Sequence, residues 1–129
     1  MSGQPRNTFG TNLRLHGDKA YAAVFENKLR KSAGPLAVCA RPNGLAHLRL
    51  GLSVGRRVGN AVRRHRVKRL IREAFRIGRH DWPTGFDIVV IIHPHAPLPL
   101  AEYQRLLGDA ITSVEREQRR RSERAESGG

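Results

Sequence analysis

Six apolar residues late in the chain, Tyr103, Leu106, Leu107, Ala110, Ile111 and Val114, recur at i, i+3, i+4, i+7, i+8 and i+11. That spacing puts them on one stripe and predicts an amphipathic helix lying on a sheet. His47 to Val54 alternates instead. Leu48, Leu50, Leu52 and Val54 face one way, and His47, Arg49, Gly51 and Ser53 face the other. A period of two predicts a half-buried strand, read as antiparallel, with one face open to something polar. Phe86 to His93 (FDIVVIIH) is a continuous β-branched run of strand length and reads as the most buried strand.

Weaker patterns fill the remainder. Pro35 to Arg41 reads as a strand, followed by turn chemistry at Pro42-Asn43-Gly44. Asp18 reads as the N-cap of a short helix over 19–29, with Tyr21, Val24, Phe25 and the stem of Lys28 at helical spacing. Val67, Leu70, Ile71, Ala74 and Phe75 form another helical stripe, with Lys68, Arg69, Arg72 and Arg76 opposite. Val58, Ala61 and Val62 do not extend that stripe, so they point to a different neighbour or to a helix start that is irregular around Gly59-Asn60. Pro83 marks a loop over 78–85, and Pro94, Pro97 and Pro99 break the chain before the last helix. The order is helix, strands, helix, strand, helix. This predicts a single α+β domain, an α/β sandwich with helices packed on a small sheet, spanning 13–115. Residues 1–12, polar and rich in turn formers, are expected to be disordered, and 116–129 to form a charged flexible tail.

Charge changes the picture. Between Gly55 and Arg76 there are nine cations (Arg56, Arg57, Arg63, Arg64, Arg66, Lys68, Arg69, Arg72 and Arg76) against one acid, Glu73. The balance, 9 − 1 = +8, is most of the chain's formal +13. Charged helix faces usually interleave Glu with Lys or Arg and are simply solvated, but this face has almost no acid to interleave. Arg outnumbers Lys 20 to 4, and guanidinium suits bidentate contact with phosphate. A polyanion is therefore the expected partner, and the near absence of Asn, Gln or Ser among the arginines favours backbone contact over groove reading of DNA. Arg63 and Arg64 sit near the positive end of the helix dipole, an unfavourable place for cations unless a phosphate approaches.

Other classes find little support. The longest apolar run, Ile88 to Ile92, is too short to span a bilayer, and the N-terminal segment shows no export signal. The single cysteine, Cys39, allows no internal disulfide and fits a reducing cytoplasm. Asp18, Glu26, Glu73, Asp81 and Asp87 form no pair at metal-binding spacing, and His93 and His95 lack companion ligands. No catalytic constellation is legible.

The segment GLSVGRRVGNAVRRHRVKRLIREAFR closely resembles the signature of the bacterial ribonuclease P protein component. The matching features are the strand ending GLSV, a basic pair, GNAV, Arg-x-Arg-x-Lys-Arg and the Arg-Glu that follows. The resemblance runs from about Arg14 through Leu107 and includes Tyr21 and Phe25 on the first helix and Asp87 to Val90 on a strand. It implies a small mixed sheet with a central basic helix and a left-handed βαβ crossover, an exception to the usual handedness. It also implies the small partner of a catalytic RNA that removes the 5′ leader of precursor tRNA. The RNA and its Mg²⁺ would carry the chemistry, with one protein per RNA and a cytoplasmic location. The family usually has Asn where this chain has His65, and an aromatic where it has Cys39.

The resemblance and the charge pattern together nominate Arg56, Arg57, Asn60, Arg63, Arg64, His65, Arg66, Lys68, Arg69 and Arg72 for contact with the RNA. Tyr21, Phe25, Arg49 and Ser53 are nominated for the single-stranded leader, because aromatic platforms beside a positive groove bind single strands. Two readings stand for Tyr21 and Phe25, base platform or core stripe of a short helix. Two also stand for Asn60, RNA contact or an Asx cap beside Gly59. A structural RNA-binding protein of ribosomal type is the alternative function.

Overall fold

A computed structural model describes residues 11–127. Most of the segment expected to be disordered, 1–12, lies outside the described residues; Thr11–Leu13 form a short 3-10 turn. The elements are α1 (Asp18–Glu26), β1 (Leu29–Ala33), β2 (Leu36–Pro42), β3 (Arg49–Val54), α2 (Ala61–Gly78), β4 (Phe86–Ile92) and α3 (Leu100–Ser127). The four strands form one mixed sheet in the order β1-β2-β4-β3.

The alternating strand is β3, and its direction corrects the sequence expectation. It pairs in parallel with β4, Arg49 opposite Asp87 and Val54 opposite Ile92, so α2 is the crossover between two parallel neighbours. Alternation reports which face is buried and carries no information on direction. β2 pairs with both β1 and β4 antiparallel. β1 (LRKSA) escaped the pattern reading because it is a polar edge strand with only Leu29 fully buried.

The two sheet faces are covered unequally. On one, Val67, Ile71, Ala74 and Phe75 of α2 and Tyr103, Leu107, Ile111 and Val114 of α3 bury against Val38, Leu50, Ile88 and Val90. Burial of this kind supplies most of the driving force for folding. Trp82 fixes the fit between the two helices. Its indole lies so close to both that a Cβ on Gly78 would stand 2.2 Å from Trp82 Cζ2, and one on Gly108 would stand 2.8 Å from Trp82 Nε1. The opposite sheet face holds a smaller cluster, Leu15, Val24, Cys39 and Val89, under α1 alone.

Helix ends differ from expectation in two places. Asp18 is the first residue of α1 rather than its cap; Gly17 takes that place at φ 87, with no side-chain capping bond. At the other end of the chain, where a fraying helix and a flexible tail were expected from about Glu115, α3 continues as helix to Ser127. His95, considered above as a ligand, is engaged within the fold. Its Nδ1 lies 2.8 Å from His93 O and its Nε2 2.7 Å from the buried Tyr103 Oη, which also accepts from Leu98 N. Burial pushes the Tyr103 phenol above its ordinary pKa.

Candidate nucleic-acid interface

α2 begins irregularly, one of the two readings the broken apolar stripe left open. Val58 is buried in a 3-10 turn, Gly59 adopts φ 150, and Asn60 caps the helix by accepting from Arg63 N at 2.9 Å. The Asx-cap reading of Asn60 is thus the one the geometry carries. Arg64 turns back and donates from Nη1 to Gly59 O at 2.8 Å. Val62, left out of the core, is 78% exposed among the cations.

The cations of α2 flank its buried stripe on two sides. On one side Lys68 and Arg72 meet Arg14, His16 and Tyr21 around a cavity of about 260 Å³ floored by Leu50 and Leu52. Partial burial holds the Arg72 guanidinium below the usual arginine value. The neighbouring Arg14 charge adds to this, and Tyr21 opposes it. On the other side His65, Arg66 and Arg69 join Ala61 and Val62 around an open hollow of about 490 Å³. Arg56, Arg57 and Arg63 are exposed at the strand–helix junction. Among the described residues none of Arg56, Arg57, Arg63, Arg64, Arg66, Lys68, Arg69 and Arg72 forms an ion pair with an acid. Glu73 pairs with Arg76 one turn away, and that pairing holds its carboxyl below the usual range.

The sheet face under α1 sorts the expected leader residues. Tyr21 lies flat against β3: a Cβ on Gly51 would stand 2.7 Å from Tyr21 Cζ, and Tyr21 Oη accepts from Leu52 N at 3.2 Å. Phe25, one turn on, is 42% exposed and lines a hollow of about 390 Å³ with Lys28, Leu29, Arg30 and Cys39. The two aromatics therefore differ, Tyr21 anchored with one edge in the first cavity and Phe25 offering an open ring. Cys39 is buried, and burial pushes its thiol up against the opposing pull of Arg30. Ser53 is exposed on the same strand face.

Arg49, nominated for the leader, is held by an acid of the fold. Its Nε and Nη2 donate to Asp87 Oδ1 and Oδ2 at 2.7 and 2.8 Å, and Asn43 Nδ2 donates to the same carboxylate at 2.9 Å. The carboxylate is almost wholly buried and requires a partner, so the guanidinium fork is committed to the fold. Arg14 and His16, in the first cavity, were not singled out from the sequence. A signal existed: Leu13 and Leu15 are buried and Arg14 between them is exposed, the alternation of an extended segment. That segment joins β3 through an Arg14–Leu50 bridge.

A family model described as Ribonuclease P matches residues 9–121. The chain belongs to the ribonuclease P protein family. It is 39% identical over 85 residues to the ribonuclease P protein component of Photorhabdus laumondii, covering 65% of this chain and 71% of that one. Among solved structures it is similar to the RNase P protein from Thermotoga maritima, at 32% identity and a TM-score of 0.67 over 78% of this chain and 96% of that one. It is also similar to the Staphylococcus aureus RNase P protein, at 27% identity and a TM-score of 0.65 over 79% and 94%. Family membership separates this chain from the ribosomal-type alternative. In this chain the expected RNA residues are all on or just before α2, whereas the expected leader residues are split between α1 and β3.

Proposed function

We propose that this chain is the protein component of ribonuclease P. It binds the catalytic RNA and the single-stranded 5′ leader of precursor tRNA, and it promotes removal of the leader. The observation that carries this reading is the set of α2 cations left without acidic partners, two of which share a cavity with Tyr21. Such a surface suits a phosphate backbone, and an aromatic beside it suits an unpaired base. The two flanks suggest a division of labour. His65, Arg66 and Arg69 take the RNA subunit, while Lys68, Arg72, Tyr21 and Phe25 take the leader.

Bond cleavage is assigned to the RNA subunit and its Mg²⁺. Among the described residues no group of three or more His, Cys, Asp or Glu stands close enough to hold a metal ion. No helix of the described residues is long and apolar enough to cross a membrane. We place the complex in the cytoplasm with one protein per RNA. The test adds the purified protein to a ribonuclease P RNA at low Mg²⁺ and follows precursor-tRNA cleavage. Stimulation that requires the RNA is expected; cleavage by the protein alone, or no stimulation, would refute the reading.

A further inference from the structure

The last buried apolar residue of α3 is Val114, yet the helix runs on to Ser127. Those added turns reach across to α1. Arg121 Nη1 donates to Asn27 O at 2.9 Å and Nη2 to Lys28 O at 2.6 Å. One turn earlier Glu117 stands 3.8 Å from Lys31 of β1. Asn27 is the C-cap of α1, so the guanidinium sits where carbonyls lack helical partners and the helix dipole is negative. Lys28 follows at φ 55, a conformation L side chains rarely adopt, and the same guanidinium holds its carbonyl.

α1 needs such support. It has nine residues, lacks a side-chain N-cap and buries only Val24 fully. A helix that short is marginal without tertiary contacts. Its C-terminal end is held by Asn27 Nδ2 on Ala40 O and by the Arg121 fork.

We infer that Arg121 is a positioning residue: through the two carbonyls that end α1 it holds Tyr21 and Phe25 at the sheet for the leader. The inference rests on the leader reading above. Arg121 touches no leader itself. Its neighbours Arg119, Arg120 and Arg124 are paired with Glu115 and Glu117, so this stretch is a brace rather than a second cationic surface.

The test uses holoenzyme reconstituted from the full chain and a ribonuclease P RNA. Arg121→Ala is expected to raise KM for a long-leader precursor by about fivefold. KM for a one-nucleotide leader, kcat and the salt dependence of binding should not move. Arg121→Lys should recover part of the loss, since one ammonium can reach one carbonyl. In the free protein, amide exchange in α1 should accelerate while β4 stays protected. Equal effects on both leaders, unchanged α1 exchange, or a reduced salt slope would each overturn the inference. If long-leader KM stays flat in Arg121→Ala, the inference also falls, and Tyr21→Ala with Phe25→Ala then locates the failure. A rise in KM in those two variants leaves the leader reading intact, whereas no rise removes that reading as well.

Discussion

α2 and α3 are both rich in arginine, and they use it in opposite ways. α2 carries seven cations and one acid, 7 − 1 = +6. α3 carries six cations and six acids, which cancel. On α3 five of the six acids stand three or four residues from an arginine, and Arg105, Arg119 and Arg120 all pair with one. On α2 only Arg76 has such a partner. Pairing at that spacing stabilises a helix slightly and cancels its field, whereas the unpaired arrangement costs stability and keeps the field. The number of arginines is therefore a poor guide to an RNA surface; the spacing of acids around them is the better one.

The comparison breaks most severely where the two helices meet. Gly78→Ala drives a methyl into the Trp82 indole wedged between α2 and α3. A loss of about 1–3 kcal/mol is expected in urea unfolding, because a ring boxed in by two helices has little room to shift. A variant as stable as the parent would mean that Trp82 is not the wedge described here.

Next in size is the charge contrast itself. The double variant Lys68→Ala/Arg72→Ala should weaken binding of a long-leader precursor tRNA by about tenfold or more at low salt and reduce the salt slope by about two. The double variant Arg119→Ala/Arg120→Ala, which removes the same formal charge from α3, should leave the slope unchanged. Equal losses would show that net charge alone governs binding and would dissolve the distinction. Phe25→Ala sharpens the contrast within the leader site. Its exposed ring should contribute roughly 1 kcal/mol to long-leader binding, at the low end for a stacked base, with little change in melting temperature.

Glu73→Gln probes the smallest difference. The Arg76 partner lowers the Glu73 pKa in the fold, so the pair adds stability above the unfolded value and loses it as pH falls through the folded one. The Glu73 side chain is 43% exposed, so the loss at pH 7 should be small and salt-sensitive, and it should disappear once the carboxyl is protonated in the fold. The same change makes α2 wholly acid-free and should strengthen RNA binding slightly. Weaker binding would argue that Glu73 orders Arg76 for contact.

Much of this arrangement was legible in the sequence because burial imposes periodicity. The stripe from Tyr103 to Val114, the Leu48–Val54 alternation and the Phe86–Ile92 run each map onto an observed element. The cation helix was legible too, but as one face opposite the apolar stripe; the structure instead spreads its cations over two flanks. What stayed hidden depends on partners distant in sequence. The direction of β3 is set by β4 across an intervening helix. Arg49 looked free until the fold placed Asp87 opposite it, 38 residues away. Polar β1 is a strand only because β2 pairs with it, and α3 continues past Val114 with Arg121 reaching residues 93 and 94 positions earlier. No local pattern encodes these contacts.

The outer border of β3 has a consequence beyond RNA. An unpaired strand edge invites a strand from another molecule. Here Leu50 O accepts from Leu15 N at 3.0 Å, and Leu52 N donates to Tyr21 Oη. With two successive rungs already taken, an incoming strand finds no continuous ladder to extend. Tyr21→Phe would free the second rung without removing the ring, and is expected to raise self-association in concentrated solution, read by light scattering; an unchanged particle size would leave this edge protected by other means.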